Sequence, residues 1–489
     1  GEEPALAAPV PAAGPAAPAA APSPFPVCQL PPAPPGFVGR AASLDQLETL
    51  LDPSGGAVPV VAISGQPGVG KSALAVVAAH RIRARFPDGQ LFVHLAGAAA
   101  APRDPAAVLA DVLRALGVPG SAVPQNLSAL AAAYRARLAD RRVLVVLDDA
   151  ASPAQIRPLL PGTPGSAVLI TSRRRLSGLI DATHLAVAPL TDAETQALLA
   201  HVVGTERVAE EPREAARIAA ACGNLPLAVR IAGTRVATRS WPLATLADRL
   251  DDERRRLDEL AAGDQQVRAS LALSVQALAP ATRDAFGLLG SLGPVSFAGW
   301  AVAELLDRPD AERIVDELVE ASLLEVTRPA GGGEPRYRLH DLLRVYAEEL
   351  AATRAPAGVM ARRRLVGAAA ALAATAATRL PRTLTWARLA DLTVEVSPRP
   401  ATVERVAADP AGWLGAELDF LIALLGLAAD CGADRAAIDL AERLGPFLWV
   451  HGHWAKLRTV QRLARQAAER VGDERTIART DFIDGVLSF

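Results

Sequence analysis

The apolar run Val58–Ile63 breaks into Gly65-Gln66-Pro67-Gly68-Val69-Gly70-Lys71-Ser72, and a helical pattern follows at once. Every fixed position of G-x-x-x-x-G-K-[ST] is met. No other feature constrains the fold as tightly. A strand, a glycine loop and a helix in this order turn backbone N–H groups and the positive end of a helix dipole toward one point, where a phosphate chain binds. Gly65, Gly68 and Gly70 let the main chain wrap closely around it. Lys71 is expected to reach the β- and γ-phosphates, and Ser72 to ligate Mg²⁺. Composition sharpens the lysine: Lys71 and Lys456 are the only lysines among 51 lysines and arginines. A chain so biased toward arginine keeps a compact, rotatable ammonium where a planar guanidinium fork would not fit equally well.

Around this loop, short apolar runs alternate with helical stretches from Phe37 to about Leu190. Val58–Ile63, Gln90–Leu95, Arg142–Leu147, Ala167–Thr171 and His184–Val187 have the continuous hydrophobicity of buried parallel strands. Asp104-Pro105 supplies an N-cap with proline at the first helical position, and Asn126 caps the next helix. The alternation predicts an α/β fold, a doubly wound parallel sheet with helices on both faces.

Two further strand ends carry candidate chemistry. Val143–Leu147 runs into Asp148-Asp149. Asp148, at the end of its strand beside the phosphate loop, is expected to hold Mg²⁺ through its hydration shell. Asp149 would then orient or deprotonate an attacking water. Leu169-Ile170-Thr171-Ser172-Arg173 ends a third strand, and Arg173 is placed to sense the γ-phosphate where transition-state charge develops. Arg174 and Arg175 read as surface.

At 489 residues the chain has room for about three domains. A net charge of −2 leaves it without the overall footprint of a nucleic-acid binder. Three well-separated cysteines, Cys28, Cys222 and Cys431, read as free thiols of a reducing cytosol. The apolar stretches Gly367–Ala377 and Phe420–Ala429 are shorter than a membrane span and read as packed helices, and the N-terminus lacks signal-peptide features. The chain starts at Gly1 and its only methionine is Met360, so a fragment of a longer polypeptide is expected.

Residues 1–36, rich in proline and alanine, read as an extended linker, and 37–190 as the nucleotide-binding domain. Thr191-Asp192-Ala193-Glu194 is a capping box opening an all-helical domain over 191–262. A second helical group, 263–355, ends in a hairpin: Leu323–Thr327 and Arg336–Leu339 flank Gly331-Gly332-Gly333. Helices leading into a hairpin predict a winged-helix domain. Residues 356–489 read as alanine-rich helical repeats without a clean period. The arginine runs Arg254–Arg256 and Arg362–Arg364 read as solvated helix faces.

The phosphate loop, the paired aspartates and the Arg173 strand, preceded by Phe37-Val38-Gly39-Arg40, resemble the NB-ARC branch of the signal-transduction ATPases with numerous domains (STAND proteins). Gly223-Asn224-Leu225-Pro226-Leu227 resembles that family's G-x-P segment, which implies that Pro226 contacts the nucleotide. Leu339-His340-Asp341 is similar to its M-H-D motif with leucine in place of methionine, implying that His340 touches the ADP β-phosphate and locks a closed state. The same resemblance places Val38 and Arg40 near the adenine, and makes 356–489 the start of a tetratricopeptide-like array. The whole arrangement is most similar to AfsR-type bacterial regulators, in which a DNA-binding domain precedes the linker.

The resemblance implies an ATP/ADP-dependent switch, closed with ADP and open and self-associating with ATP, with slow hydrolysis as reset. DNA would be reached only through a domain outside this fragment, and an unknown activating ligand would bind the repeats. Control of secondary-metabolite (antibiotic) biosynthesis in the cytoplasm is implied at the same level, with no membrane partner. A defence receptor using the same switch with a fused effector is the alternative from a different class. A fast-turnover P-loop ATPase is the other, and steady-state turnover above about 1 s⁻¹ would mark it.

Overall fold

Alternate residues of the central strands face two separate cores. Val61, Ile63, Leu144, Val146 and Leu169 join one, while Ala62, Val145, Leu147, Val168 and Ile170 join the other. With both faces buried, strands must be apolar along their whole length, as the sequence is. The computed structural model describes residues 26–99, 101–262, 265–327, 334–352, 355–380 and 396–487.

The first unit comprises β1 (Val27–Cys28), α1 (Ala41–Leu50), β2 (Val60–Ser64), α2 (Lys71–Ile82), β3 (Gly89–His94), α3 (Pro105–Ala115), α4 (Leu127–Leu138), β4 (Val143–Ala150), α5 (Pro153–Ile156), β5 (Ala167–Ser172) and β6 (Thr183–Ala186). Its six-stranded sheet has the order β1-β3-β4-β5-β2-β6, and every pairing is parallel. The loop strand β2 therefore lies beside β5, and β4 with its aspartates is the next strand out. Asn126 caps α4 by accepting the Ala129 N–H at 2.8 Å. Asp104 makes no side-chain cap, so proline alone marks the start of α3.

One strand falls where a linker was expected. Val27 is buried and pairs with Gly89 at the sheet edge. His80 Nε2 lies 2.8 Å from the Pro31 carbonyl, and Arg230 donates to the carbonyls of Pro35 and Gly36. Residues 26–36 are thus a strap along the first unit. Proline cannot donate, but its carbonyl accepts, so a proline-rich strand fits an edge. Residues 1–25 lie outside the described residues.

Next come α6 (Asp192–Val203), α7 (Thr205–Glu210), α8 (Pro212–Ala221), α9 (Pro226–Arg239), α10 (Leu243–Asp251) and α11 (Glu253–Glu259), then a short antiparallel pair, β7 (Ala261–Ala262) and β8 (Gln265–Gln266). The capping box at the start of α6 is complete in both directions. A third group holds α12 (Val267–Gln276), α13 (Pro280–Gly290), β9 (Phe297–Ala298), α14 (Gly299–Leu306), α15 (Ala311–Glu320), β10 (Glu325–Thr327), β11 (Arg336–Arg338) and α16 (Asp341–Ala352). Its antiparallel strands, in the order β10-β11-β9, form the wing; the three glycines of the hairpin loop lie outside the described residues. The remaining helices are α17 (Ala355–Arg379), α18 (Pro400–Ala408), α19 (Pro410–Leu427), α20 (Asp434–Val450), α21 (Trp454–Val471) and α22 (Glu474–Leu487), with successive helices from α19 onward packed on one another.

Helix α19 corrects the expected length of the second apolar stretch. It runs 18 residues and is long and apolar enough to cross a membrane by length and composition. Its Leu414, Leu421 and Leu424 are nevertheless packed in the core, and Glu417 within it is 3% exposed and ion-paired. Two arginines read as solvated are also engaged. Arg256 donates to the Leu250 carbonyl, and Arg364 to the carbonyls of Glu304 and Leu305. Helix C-termini leave carbonyls unpaired, and a guanidinium with five donors satisfies them. All three cysteines are free, Cys28 exposed and the other two buried.

Candidate functional site

The glycine loop leaves β2 and enters α2 with no intervening residue after Gly70. Gly68 and Gly70 have φ of +79° and +91°, the left-handed region where a side chain is strained. Beside Gly68 the space is also tight, since a Cβ there would stand 3.3 Å from Leu227, while one on Gly70 would meet Pro226 in ordinary contact at 3.7 Å. The Leu227 N–H reaches the Gly68 carbonyl at 3.3 Å. The loop is therefore seated on the first turn of α9, the segment that carries Pro226.

Lys71 is buried, and its Nζ donates to the carbonyls of Gly65 (2.7 Å) and Gln66 (3.0 Å) inside the loop. Burial, and secondarily the nearby Arg173 cation, push its pKa down to about 7, against the smaller pull of Asp149 and Asp148. An ammonium with no anionic partner in contact pays for desolvation in this way, and an arriving phosphate chain supplies the missing partner. Gln66 Oε1 is buried without a hydrogen-bond partner. Ser72 is exposed one residue into α2. A buried cation, N–H groups at a helix start and a free serine hydroxyl suit a phosphate chain with Mg²⁺.

Asp148 is buried at the C-terminal end of β4. Thr171 Oγ1 donates to its Oδ1 at 2.7 Å, and His94 Nδ1 lies 3.1 Å from its Oδ2. Asp149 has φ +54°. Its N–H donates to Thr171 Oγ1 (2.9 Å), and its Oδ2 accepts the Ala98 N–H (2.9 Å). Thr171 thus ties the β5 end to both aspartates. Arg173 Nε is 3.7 Å from Asp149 Oδ1, while its Nη1 donates to the Ser270 carbonyl (2.8 Å) and Ser274 Oγ (3.2 Å) on α12. This guanidinium bridges the sheet and the winged-helix group.

Arg40 has φ +61°, and its side chain is spent on main-chain carbonyls. Nη2 donates to Val69 of the loop and to Ala188, each at 2.9 Å. Its own N–H reaches Glu194 Oε1 at 2.6 Å, so the capping-box glutamate also fixes Arg40. Val38 is half-buried against the core.

His340 is buried, and its Nε2 lies 2.7 Å from the Gly223 carbonyl. A carbonyl only accepts, so Nε2 carries hydrogen; Nδ1 is buried with no partner. A Cβ on Gly223, where φ is +57°, would run into the imidazole. Burial lowers the His340 pKa from its ordinary value, against the Gly223 bond and the Glu325 and Asp341 charges. The structure thus brings one chain of contacts together: loop to Pro226 and Leu227, and the turn before them to His340.

Residues 40–209 match the model of the NB-ARC domain family. These residues are an NB-ARC domain. The chain is 47% identical over 332 residues, 66% of its length, to "Regulatory protein AfsR" of Streptomyces coelicolor, and 47% identical over 327 residues to the protein of that name from Streptomyces griseus. Each alignment takes in 33% of the relative, so the chain matches about a third of the length of these curated relatives. The chain thus carries an NB-ARC domain and is similar to the AfsR regulatory proteins over about two thirds of its own length. Among solved structures, a STAND protein with a tetratricopeptide repeat sensor from Pyrococcus horikoshii is 16% identical, covering 94% of this chain and 66% of that one with a TM-score of 0.31. A Walker-type ATPase of Pyrococcus abyssi is 12% identical, covering 64% and 95%, with a TM-score of 0.45.

His94 was not singled out from the sequence of this NB-ARC domain. Its only signal was a polar residue at the end of the strand run next to the aspartate strand. The roles of Thr171, and of Glu194 beyond its cap, were equally silent, since each depends on a partner distant in the chain.

Proposed function

We propose that this chain is the nucleotide switch of a bacterial transcriptional regulator. ADP holds the phosphate-loop unit, the α6–α11 helices and the winged-helix group together, and exchange for ATP favours an open, self-associating form. The observation that carries this reading is the contact chain from Gly68 and Gly70 through Leu227 and Pro226 to Gly223 and His340. One ligand at the loop therefore touches the elements whose separation would open the molecule. A nucleotide shifts such an equilibrium only by its different contacts in the two states.

In this reading Lys71 and the loop N–H groups hold the phosphates, Ser72 and Asp148 hold Mg²⁺, and Val38 and Arg40 border the adenine end. Mg²⁺ supplies neutralisation of charge on the phosphate oxygens. Asp149, held by Ala98 and Thr171, orients water, and Arg173 senses the terminal phosphate. Because Arg173 also bonds α12, a change at the phosphate is transmitted to the winged-helix group. Once protonated, His340 Nδ1 donates a hydrogen bond to a phosphate oxygen.

DNA binding through an upstream domain, control of antibiotic biosynthesis, a cytoplasmic location and recognition of an activating ligand by the C-terminal helices belong to the same proposal. The shared name "Regulatory protein" in both Streptomyces relatives favours this over a defence receptor. The test is binding of ADP and ATP to the wild type and to Lys71→Ala, with mass measured by light scattering in each nucleotide. Loss of binding in the variant and a larger mass with ATP than with ADP are expected. Retained affinity in Lys71→Ala, or equal mass in both nucleotides, rejects the switch.

A further inference from the structure

His94 stands where a buried carboxylate needs a second donor. The parallel register of β3 and β4 sets His94 opposite Asp148, and the Leu95 N–H reaches the Asp148 carbonyl at 2.8 Å. The His94 main chain is fixed independently of its ring. Arg103 Nη1 donates to the His94 carbonyl at 3.1 Å, and Gln155 Nε2 spans the carbonyls of Leu95 (3.0 Å) and Arg103 (2.9 Å). The imidazole itself is 59% exposed, so core packing does not call for it. Among the described residues the ring's one hydrogen bond is to Asp148 Oδ2.

Asp148 has four lone-pair sites on its two oxygens. Thr171 takes one on Oδ1 and His94 one on Oδ2, and each oxygen keeps one. The Thr171 hydrogen is committed to Asp148 while its oxygen accepts from Asp149, so it pins the carboxylate at one oxygen only. Without a second donor the carboxylate turns about its Cβ–Cγ bond.

We propose that His94 is a positioning residue of the Mg²⁺ site: it fixes the plane of the Asp148 carboxylate so that its free lone pairs meet metal-bound water. This rests on the reading of Asp148 as the magnesium carboxylate. Removing an outer donor to a metal-binding group costs about 10–100-fold in metal affinity.

The experiment follows release of a fluorescent ADP analogue from the whole chain across a Mg²⁺ titration that starts in chelator. His94→Leu should raise the Mg²⁺ concentration at half effect by about tenfold or more, with release in chelator unchanged, which also reports an intact fold. His94→Asn should restore the midpoint, because its Nδ2 hangs on Cγ as Nδ1 does and donates. A His94→Leu midpoint equal to wild type, or a His94→Asn midpoint no better than His94→Leu, overturns the proposal. Asp148→Ala separates the two readings. If Mg²⁺ slows release in the wild type and Asp148→Ala abolishes that effect while His94→Leu does not shift it, only the role of His94 fails. If Asp148→Ala keeps the wild-type midpoint, the magnesium reading of Asp148 fails and this inference with it.

Discussion

Burial takes the Lys71 ammonium down to about 7, and a phosphate chain beside it reverses that shift, since a nearby anion favours the charged form. Nucleotide binding should therefore take up a proton wherever the free site is deprotonated and the bound site is not. By linkage, well below pH 7 Lys71 is charged in both states and affinity is flat, and from about pH 7 upward affinity falls as pH rises. With about 7 free and the ordinary lysine value bound, the dissociation constant for ADP rises by roughly one to two orders of magnitude from pH 7 to 9. At pH 8 most of a proton enters with each ADP by the same relation. The nucleotide's terminal phosphate titrates near pH 6, below this window. Calorimetric titration in buffers of different ionisation enthalpy gives both the affinity and the proton count. A dissociation constant that stays level between pH 7 and 9, with no proton uptake, would refute the description of Lys71 as a buried ammonium awaiting an anion.

Three perturbations test the surrounding contacts. His340→Ala should speed ADP release and raise self-association without ATP, and an unchanged release rate in stopped-flow removes His340 from the switch. Arg336→Ala leaves Glu417, 3% exposed on α19, without its 2.8 Å partner; breaking a buried pair costs about 3–5 kcal/mol, so the melting temperature should fall, and an unaltered one denies that the pair joins the wing to the C-terminal helices. Glu194→Ala removes the carboxylate half of the α6 capping box, which accepts the Thr191 N–H, together with the anchor of the Arg40 N–H, and leaves the Thr191 hydroxyl cap in place. Two hydrogen bonds at about 0.5–1.5 kcal/mol each are lost, so denaturant melts should show a loss of about 1 kcal/mol or more, with weaker nucleotide affinity; full retention of affinity would make Arg40 independent of its anchor.

Periodicity and the phosphate loop made the doubly wound sheet legible, because a strand buried on both faces must be apolar throughout, and a loop that wraps phosphate must carry glycine at set positions. The wing was legible from two short strands around turn formers. Candidate residues were legible where chemistry demands a type at a place: Lys71 after its glycines, Asp148 and Asp149 at a strand end. The strap at Val27 was not. Its apolar content is too short for periodicity, and an edge strand is decided by what lies beside it. His94 was illegible for the same reason, since the register of β3 on β4 alone sets it against Asp148. The arginines were misread where they meet helix C-termini, because a guanidinium bonded to a distant carbonyl looks in sequence like one in water. By itself, then, the sequence determined the phosphate loop, the parallel strands and the aspartates, all consequences of local pattern and of residue chemistry. Only the tertiary structure decided that the loop sits on the first turn of α9, that His340 meets Gly223 and that Arg173 reaches α12. Those contacts join residues roughly a hundred or more positions apart, and only the packing of separate units brings them within bonding distance.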